Sequence, residues 1–117
     1  QIKDDLLDLL GSEIETGKNS GGDVKQNMIT LPLIHTKINT SRSDYRKLKK
    51  LLKTKTKNKK IISSICEIIE KTGGIDYSKD KLEEFSDRAL SAISSYPDSI
   101  TKQSMKDLVD FNKNRTK

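Results

Sequence analysis

The chain has 117 residues, about one domain by length, and is 32% hydrophobic and 34% charged, a polar globular balance with a limited core. No apolar run approaches the roughly 20 residues that a helix needs to cross a bilayer. The single cysteine, Cys66, excludes an internal disulfide or a cysteine-rich metal site and fits a reducing cytoplasm. The net charge is +6, and it is unevenly spread: Arg42 to Lys60 holds ten basic residues against one acid, Asp44, so the remainder is acidic.

Residues 1–10 read as the end of a helix, with Ile2, Leu6, Leu9 and Leu10 at helical spacing and Gly11-Ser12 as the stop. Residues 11–27 read as loop, with turn chemistry supplied by Gly11, Gly17, Gly21 and Gly22. A helix restarts near Thr30, which is placed to N-cap it, and Pro32 fits its first turn. Leu31, Ile34 and Ile38 ride on it until Asn39-Thr40-Ser41. Ser41 or Ser43 then caps a basic helix with Tyr45, Leu48, Leu51 and Leu52 on one face. Lys53 to Lys60 (KTKTKNKK) reads as a solvated turn.

Lys59 to Thr72 carries the strongest helical pattern. Ile61, Ile62, Ile65, Cys66, Ile68 and Ile69 cover one face, and Glu67, Glu70 and Lys71 the other. Gly73-Gly74 terminates it through a left-handed cap. The next helix is expected from about Asp76 to Tyr96, with Leu82, Phe85, Ala89, Ala92 and Ile93 as its seam and Pro97 as its end. A last one is expected from about Ser99 to Asn112, with Met105, Leu108, Val109 and Phe111 available for packing. No strand, internal repeat or heptad array is evident. The expected fold is all-α: five to six helices with short connections, as one unit over residues 1–117.

The chemistry is concentrated at the start. Asp4, Asp5 and Asp8 form the run DDLLD. On a helix Asp4 and Asp8 share a face, with Asp5 about 100° round from Asp4. Three carboxylates so close are costly unless a cation joins them. Magnesium suits them, being hard, oxygen-seeking and often completed by phosphate oxygens. A solvated acidic helix end is the plainer reading of DDLLD alone. The loop alters that balance: Gly17 lets backbone approach a ligand, Lys18 offers a point charge for phosphate, and Gly21-Gly22 precede a further carboxylate, Asp23. A Walker A loop is excluded, because no lysine-serine/threonine pair follows the required glycine spacing.

Residues 1–34, QIKDDLLDLLGSEIETGKNSGGDVKQNMITLPLI, resemble the second aspartate-rich region of trans-isoprenyl diphosphate synthases, the polyprenyl synthetase family. That family shows a glutamine three residues before DDxxD, then G-K, an aspartate some residues on, and T-L-P, and all four parts stand here in order. GGIDYS at 73–78 and Arg115 also resemble its C-terminal region. Within the family the likeness is to bacterial medium- or long-chain enzymes. The chain opens inside the motif without a methionine and so reads as a C-terminal piece of a larger protein.

The resemblance implies an isoprenoid-synthase-type helical bundle. Its parts would be the second aspartate-rich motif at 1–8, a diphosphate-binding loop at 11–28 and C-terminal helices over 30–113. It implies a magnesium-dependent, head-to-tail condensation of isopentenyl diphosphate with an allylic diphosphate. By match, Asp4 is the main metal ligand, and Asp5 and Asp8 hold metal-bound waters or a second coordination position. Lys18 contacts the allylic diphosphate, so Asp4, Asp5 and Lys18 carry the catalytic work. Gln1 and Asp23 orient the ligand shell. One position departs: where many members carry lysine or asparagine five residues after the loop aspartate, this chain has Met28, with Asn27 beside it. The first aspartate-rich motif and the isopentenyl diphosphate arginines are absent, so these residues alone are not expected to catalyse the reaction. A cytoplasmic homodimer is expected of the parent, and self-association of the isolated piece.

His35 and Cys66 read as structural residues. The lysine run is the main rival signal, yet five aromatics, four arginines and no recognisable motif argue against nucleic acid. A solvated edge accounts for it, with contact to a membrane surface left open. The alternatives from other classes are a non-catalytic helical subunit of a heteromeric synthase and a basic nucleic-acid module.

Overall fold

The computed structural model describes residues 1–10 and 21–116. Seven helices follow in order among them: α1 Ile2–Leu10, α2 Gly22–Lys25, α3 Leu31–Asn39, α4 Arg42–Leu52, α5 Lys59–Lys71, α6 Gly74–Ser94 and α7 Ile100–Asn114. No strand occurs among the described residues. The all-α expectation therefore holds, with one helix more than the upper count, the single turn α2.

The caps explain most of the boundaries. The Ser41 hydroxyl accepts from Asp44 N at 3.1 Å, and the Asn58 side chain accepts from Ile61 N at 2.9 Å. Ser99 does the same for Lys102 N at 3.0 Å. Gly73 sits at φ 81° between α5 and α6, ending one helix and starting the next. Gly74 opens α6 where no larger residue fits: a Cβ there would stand 2.6 Å from the Pro32 carbonyl oxygen and 2.9 Å from Thr36 Oγ1. That close approach brings α3 onto α6.

The core is small. Leu9, Val24, Leu33, Leu48, Ile65, Ile68 and Ile69 are buried together, with Leu51, Leu52, Ile61, Cys66 and Ile75 packed against them. The isoleucine face of α5 is its centre, as the sequence pattern predicts. Long α6 lies along α1, α3, α5 and α7. The body measures 53 × 30 × 18 Å, and its thin dimension is about two helix diameters.

Three expectations need correction. Phe85 is not a seam residue: it is 51% exposed, and the buried positions of α6 are Gly74, Ser78, Ser86 and Ile93. Small residues let the neighbouring helices approach closely, which a phenyl ring would prevent. The stretch Lys53 to Lys60 is not wholly solvated, because Lys57 is only 3% exposed. Its ammonium donates to Asn27 Oδ1 at 2.7 Å and to the Thr54 carbonyl at 3.1 Å. Thr30 does not cap α3 with its side chain; its hydroxyl is buried without a partner. Most apolar residues of α7 stay open to solvent, with Leu108 and Phe111 each 67% exposed and Val109 half-buried.

Candidate functional site

The aspartate-rich run occupies α1, and its three carboxylates have three different environments. Asp5 is buried, 4% exposed. It accepts from Gln1 Nε2 at 2.8 Å and from the Leu31 backbone N–H at 3.2 Å. The cap of α3 therefore comes from a residue 26 positions earlier, in place of Thr30. A carboxylate on a helix N-terminus is a charge-assisted arrangement that also complements the helix dipole.

Asp8 does the same for α2. Its two oxygens accept from Gly22 N and Asp23 N, each at 3.0 Å, and its backbone carbonyl accepts from Gly21 N at 2.8 Å. Gly21 adopts φ 78°, and any Cβ there would collide with Ile62. The chain thus turns against α5 and delivers three consecutive N–H groups to one aspartate.

The far end of α2 is closed by a Schellman motif. Met28 N donates to the Asp23 carbonyl at 2.8 Å and Asn27 N to that of Val24 at 3.1 Å. Asn27 takes the left-handed position, φ 58°, where glycine is commonest. Its side chain is the one held by Lys57.

Asp4 faces solvent, its side chain 55% exposed. It is ion-paired with Arg115, whose Nε also donates to Asn112 Oδ1 at 3.2 Å. The end of α7 thereby meets the start of α1. Lys3 lies beside this pair. Burial holds its ammonium below the ordinary lysine range, and the Arg115 and Lys79 charges add to that.

The structure thus brings Gln1, Asp4, Asp5, Asp8 and Asp23 to one end of the bundle. Lys18 and Gly17 lie outside the described residues. Among the described residues no three His, Cys, Asp or Glu side chains form a group that could hold a metal ion. Of the three carboxylates, Asp4 is the one most open to a magnesium ion. One exposed carboxylate, Asp4, would be completed by diphosphate oxygens and water, since Asp5 and Asp8 already receive backbone N–H groups. Met28 is 47% exposed, and its thioether offers no hydrogen-bond donor of its own to a phosphate.

Sequence reasoning missed Lys57 and the two long-range caps. It noted Arg115 without placing it. The partners lie 14 to 111 positions apart, beyond the reach of any spacing rule.

The family model for polyprenyl synthetase matches residues 1–69. A prenyl transferase of Porphyra purpurea is 32% identical over 111 residues, 95% of this chain and 33% of that protein. Among solved structures, a decaprenyl diphosphate synthase from Rhodobacter capsulatus superposes with a TM-score of 0.83 at 26% identity, covering 100% of this chain and 36% of that one. A polyprenyl synthase from Caulobacter crescentus, complexed with calcium and isoprenyl diphosphate, has a TM-score of 0.87 at 24% identity, with the same two shares, and speaks to the fold alone. The chain spans about a third of the length of these relatives.

Proposed function

The chain belongs to the polyprenyl synthetase family, and from that premise we propose that it forms the second aspartate-rich wall of a trans-polyprenyl diphosphate synthase. The division of labour within DDLLD carries this reading. Asp5 and Asp8 fix the N-termini of α3 and α2, and Asp4 is left at the surface in reach of a ligand. Asp5, buried, and Asp8, half-buried, serve as backbone anchors, while Asp4 keeps its carboxylate at the surface beside Arg115.

In this proposal residues 1–8 present the motif, 11–28 supply the diphosphate contacts and 30–113 buttress the motif. Magnesium, when bound at Asp4, would neutralise diphosphate charge and favour its departure. Asp5 positions the start of α3, and Gln1 holds Asp5. Asp8 positions Asp23 and its loop. Lys18 would offer a point charge to the allylic diphosphate.

The reaction would break the allylic carbon–oxygen bond, with diphosphate leaving on the electron pair. The double bond of isopentenyl diphosphate would then form the new carbon–carbon bond, and loss of a proton would restore an alkene. The complete protein would supply the other half of the cavity, act as a cytoplasmic homodimer and touch a membrane surface peripherally. No helix among the described residues is long and apolar enough to cross a membrane.

The test is magnesium-dependent condensation of labelled isopentenyl diphosphate with an allylic diphosphate, in the complete protein and its Asp4→Ala variant. Activity that collapses in a folded variant supports the reading. A well-folded complete protein, inactive with several allylic primers, overturns it in favour of a non-catalytic subunit.

A further inference from the structure

We propose that the exposed face of α4 is a docking surface for an anionic lipid bilayer. Arg42, Arg46, Lys49, Lys50 and Lys53 are all exposed. At 3.6 residues per turn they fall within an arc of about 100° and extend along about 17 Å of helix. The opposite face carries Leu48, buried, with Leu51 and Leu52 half-buried against the core, so the stripe is fixed outward.

Among the described residues its charge is not answered from within the fold. Asp44, the one acid of this helix, points away and pairs with Lys71 of α5 at 2.9 Å. Among the described residues no acid pairs with any of the five. Five like charges on consecutive turns repel one another, and folding has not relieved them. An extended anionic plane would do so along the whole row.

Two features favour a bilayer over nucleic acid. Tyr45, 41% exposed, lies about 40° beyond the stripe's edge, where an amphipathic ring meets the headgroup level. Lysine and arginine stems can also lie along apolar surface while their charged ends reach lipid phosphate. The choice further rests on the proposed function: a polyprenyl diphosphate is an amphiphile whose chain belongs in a bilayer, so an enzyme held at that surface releases product where it partitions.

The experiment is sedimentation of the complete protein with vesicles of phosphatidylcholine and phosphatidylserine, against phosphatidylcholine alone. It compares the unaltered protein, a stripe variant (all five residues to Gln) and a charge-matched control (Lys25, Lys37, Lys79, Arg88 and Lys106 to Gln). Binding to the anionic vesicles is expected to fall about tenfold or more in the stripe variant and to persist in the control. Equal losses in both variants, or no loss in the stripe variant, would overturn the proposal. So would binding to a mixed RNA pool in preference to the vesicles. Should the stripe variant fail to fold by circular dichroism, the pair Lys49→Gln with Lys50→Gln takes its place. Condensation activity with short soluble substrates is measured alongside. Vesicle binding by an inactive protein removes the enzyme reading and leaves the surface; activity without vesicle binding removes the surface and leaves the enzyme.

Discussion

Lys57 offers the sharpest test of how the fold holds the loop behind the aspartate-rich motif. Its side chain is 3% exposed, yet its two partners are neutral: Asn27 Oδ1 at 2.7 Å and the Thr54 carbonyl at 3.1 Å. Burying an ammonium costs free energy, and hydrogen bonds from a charged donor return about 1.5–3 kcal/mol each. Lys57→Met keeps the aliphatic stem but strands the Thr54 carbonyl, whereas Asn27 is exposed and regains water. Balancing the lost bonds against the relieved burial, the expected loss is about 1–2 kcal/mol. For a chain of this size that lowers the melting midpoint by about 5 °C. A double-mutant cycle with Asn27→Gly isolates the shared part. Glycine accepts the left-handed backbone but offers no acceptor, so the coupling should be about 1 kcal/mol. Lys57→Met that is neutral or stabilising, with no coupling to Asn27→Gly, would refute the reasoning. The burial cost would then outweigh both bonds, and Lys57 would not be what fixes the turn.

Gly74→Ala should destabilise by about 1–3 kcal/mol through overpacking, because the new Cβ meets the Pro32 carbonyl oxygen at 2.6 Å; unchanged chemical denaturation would refute the close α3–α6 approach. The Lys71 ammonium hydrogen-bonds Asp44 and holds its carboxyl below the ordinary range. The Asp44 contribution is therefore complete above the ordinary carboxylate pKa and lost as pH falls through the lower folded value. The melting midpoint of Asp44→Asn should accordingly lose part of the acid-side slope seen in the unaltered chain. Burial, and next the Asp8 charge, push the Cys66 thiol up. Alkylation by iodoacetamide should be slow at neutral pH and accelerate only above the ordinary thiol range; rapid labelling of the folded chain at pH 7 would contradict that environment.

How far the sequence exposed this structure depended on the reach of each interaction. The isoleucine spacing of α5, the Gly73 break and the Ser41 cap are written within a few residues, and each appears where the pattern places it. α2 escaped because one turn is too short to show periodicity. The buried face of α6 escaped because Ser78 and Ser86 are polar by type: each hydroxyl bonds a carbonyl one turn back, at 2.8 and 2.7 Å, so both can be packed as small residues. Lys57 was hidden in a run of identical charges of which only tertiary contact selects one. The aspartates were found by residue type, but their partners were not, since the Leu31, Gly22 and Arg115 donors reach α1 through the fold alone.

Those partners alter the physical argument for the motif. Three neighbouring carboxylates need compensating charge, and a bound cation is one way to supply it. Here two are met by backbone N–H groups at the starts of α2 and α3, and the third by the Arg115 guanidinium. On the proposed reading the fold would not depend on metal, and magnesium at Asp4 would compete with Arg115. Chelation with EDTA should leave the melting midpoint unchanged. Arg115→Gln should strengthen magnesium binding, read by titration calorimetry with inorganic diphosphate present, while relieving no strain elsewhere. A midpoint that drops on chelation would mean that the aspartates are joined by an ion in the folded protein, and that the backbone caps alone do not neutralise them. Weaker magnesium binding in Arg115→Gln would mean that Arg115 helps to hold the diphosphate instead of shielding Asp4.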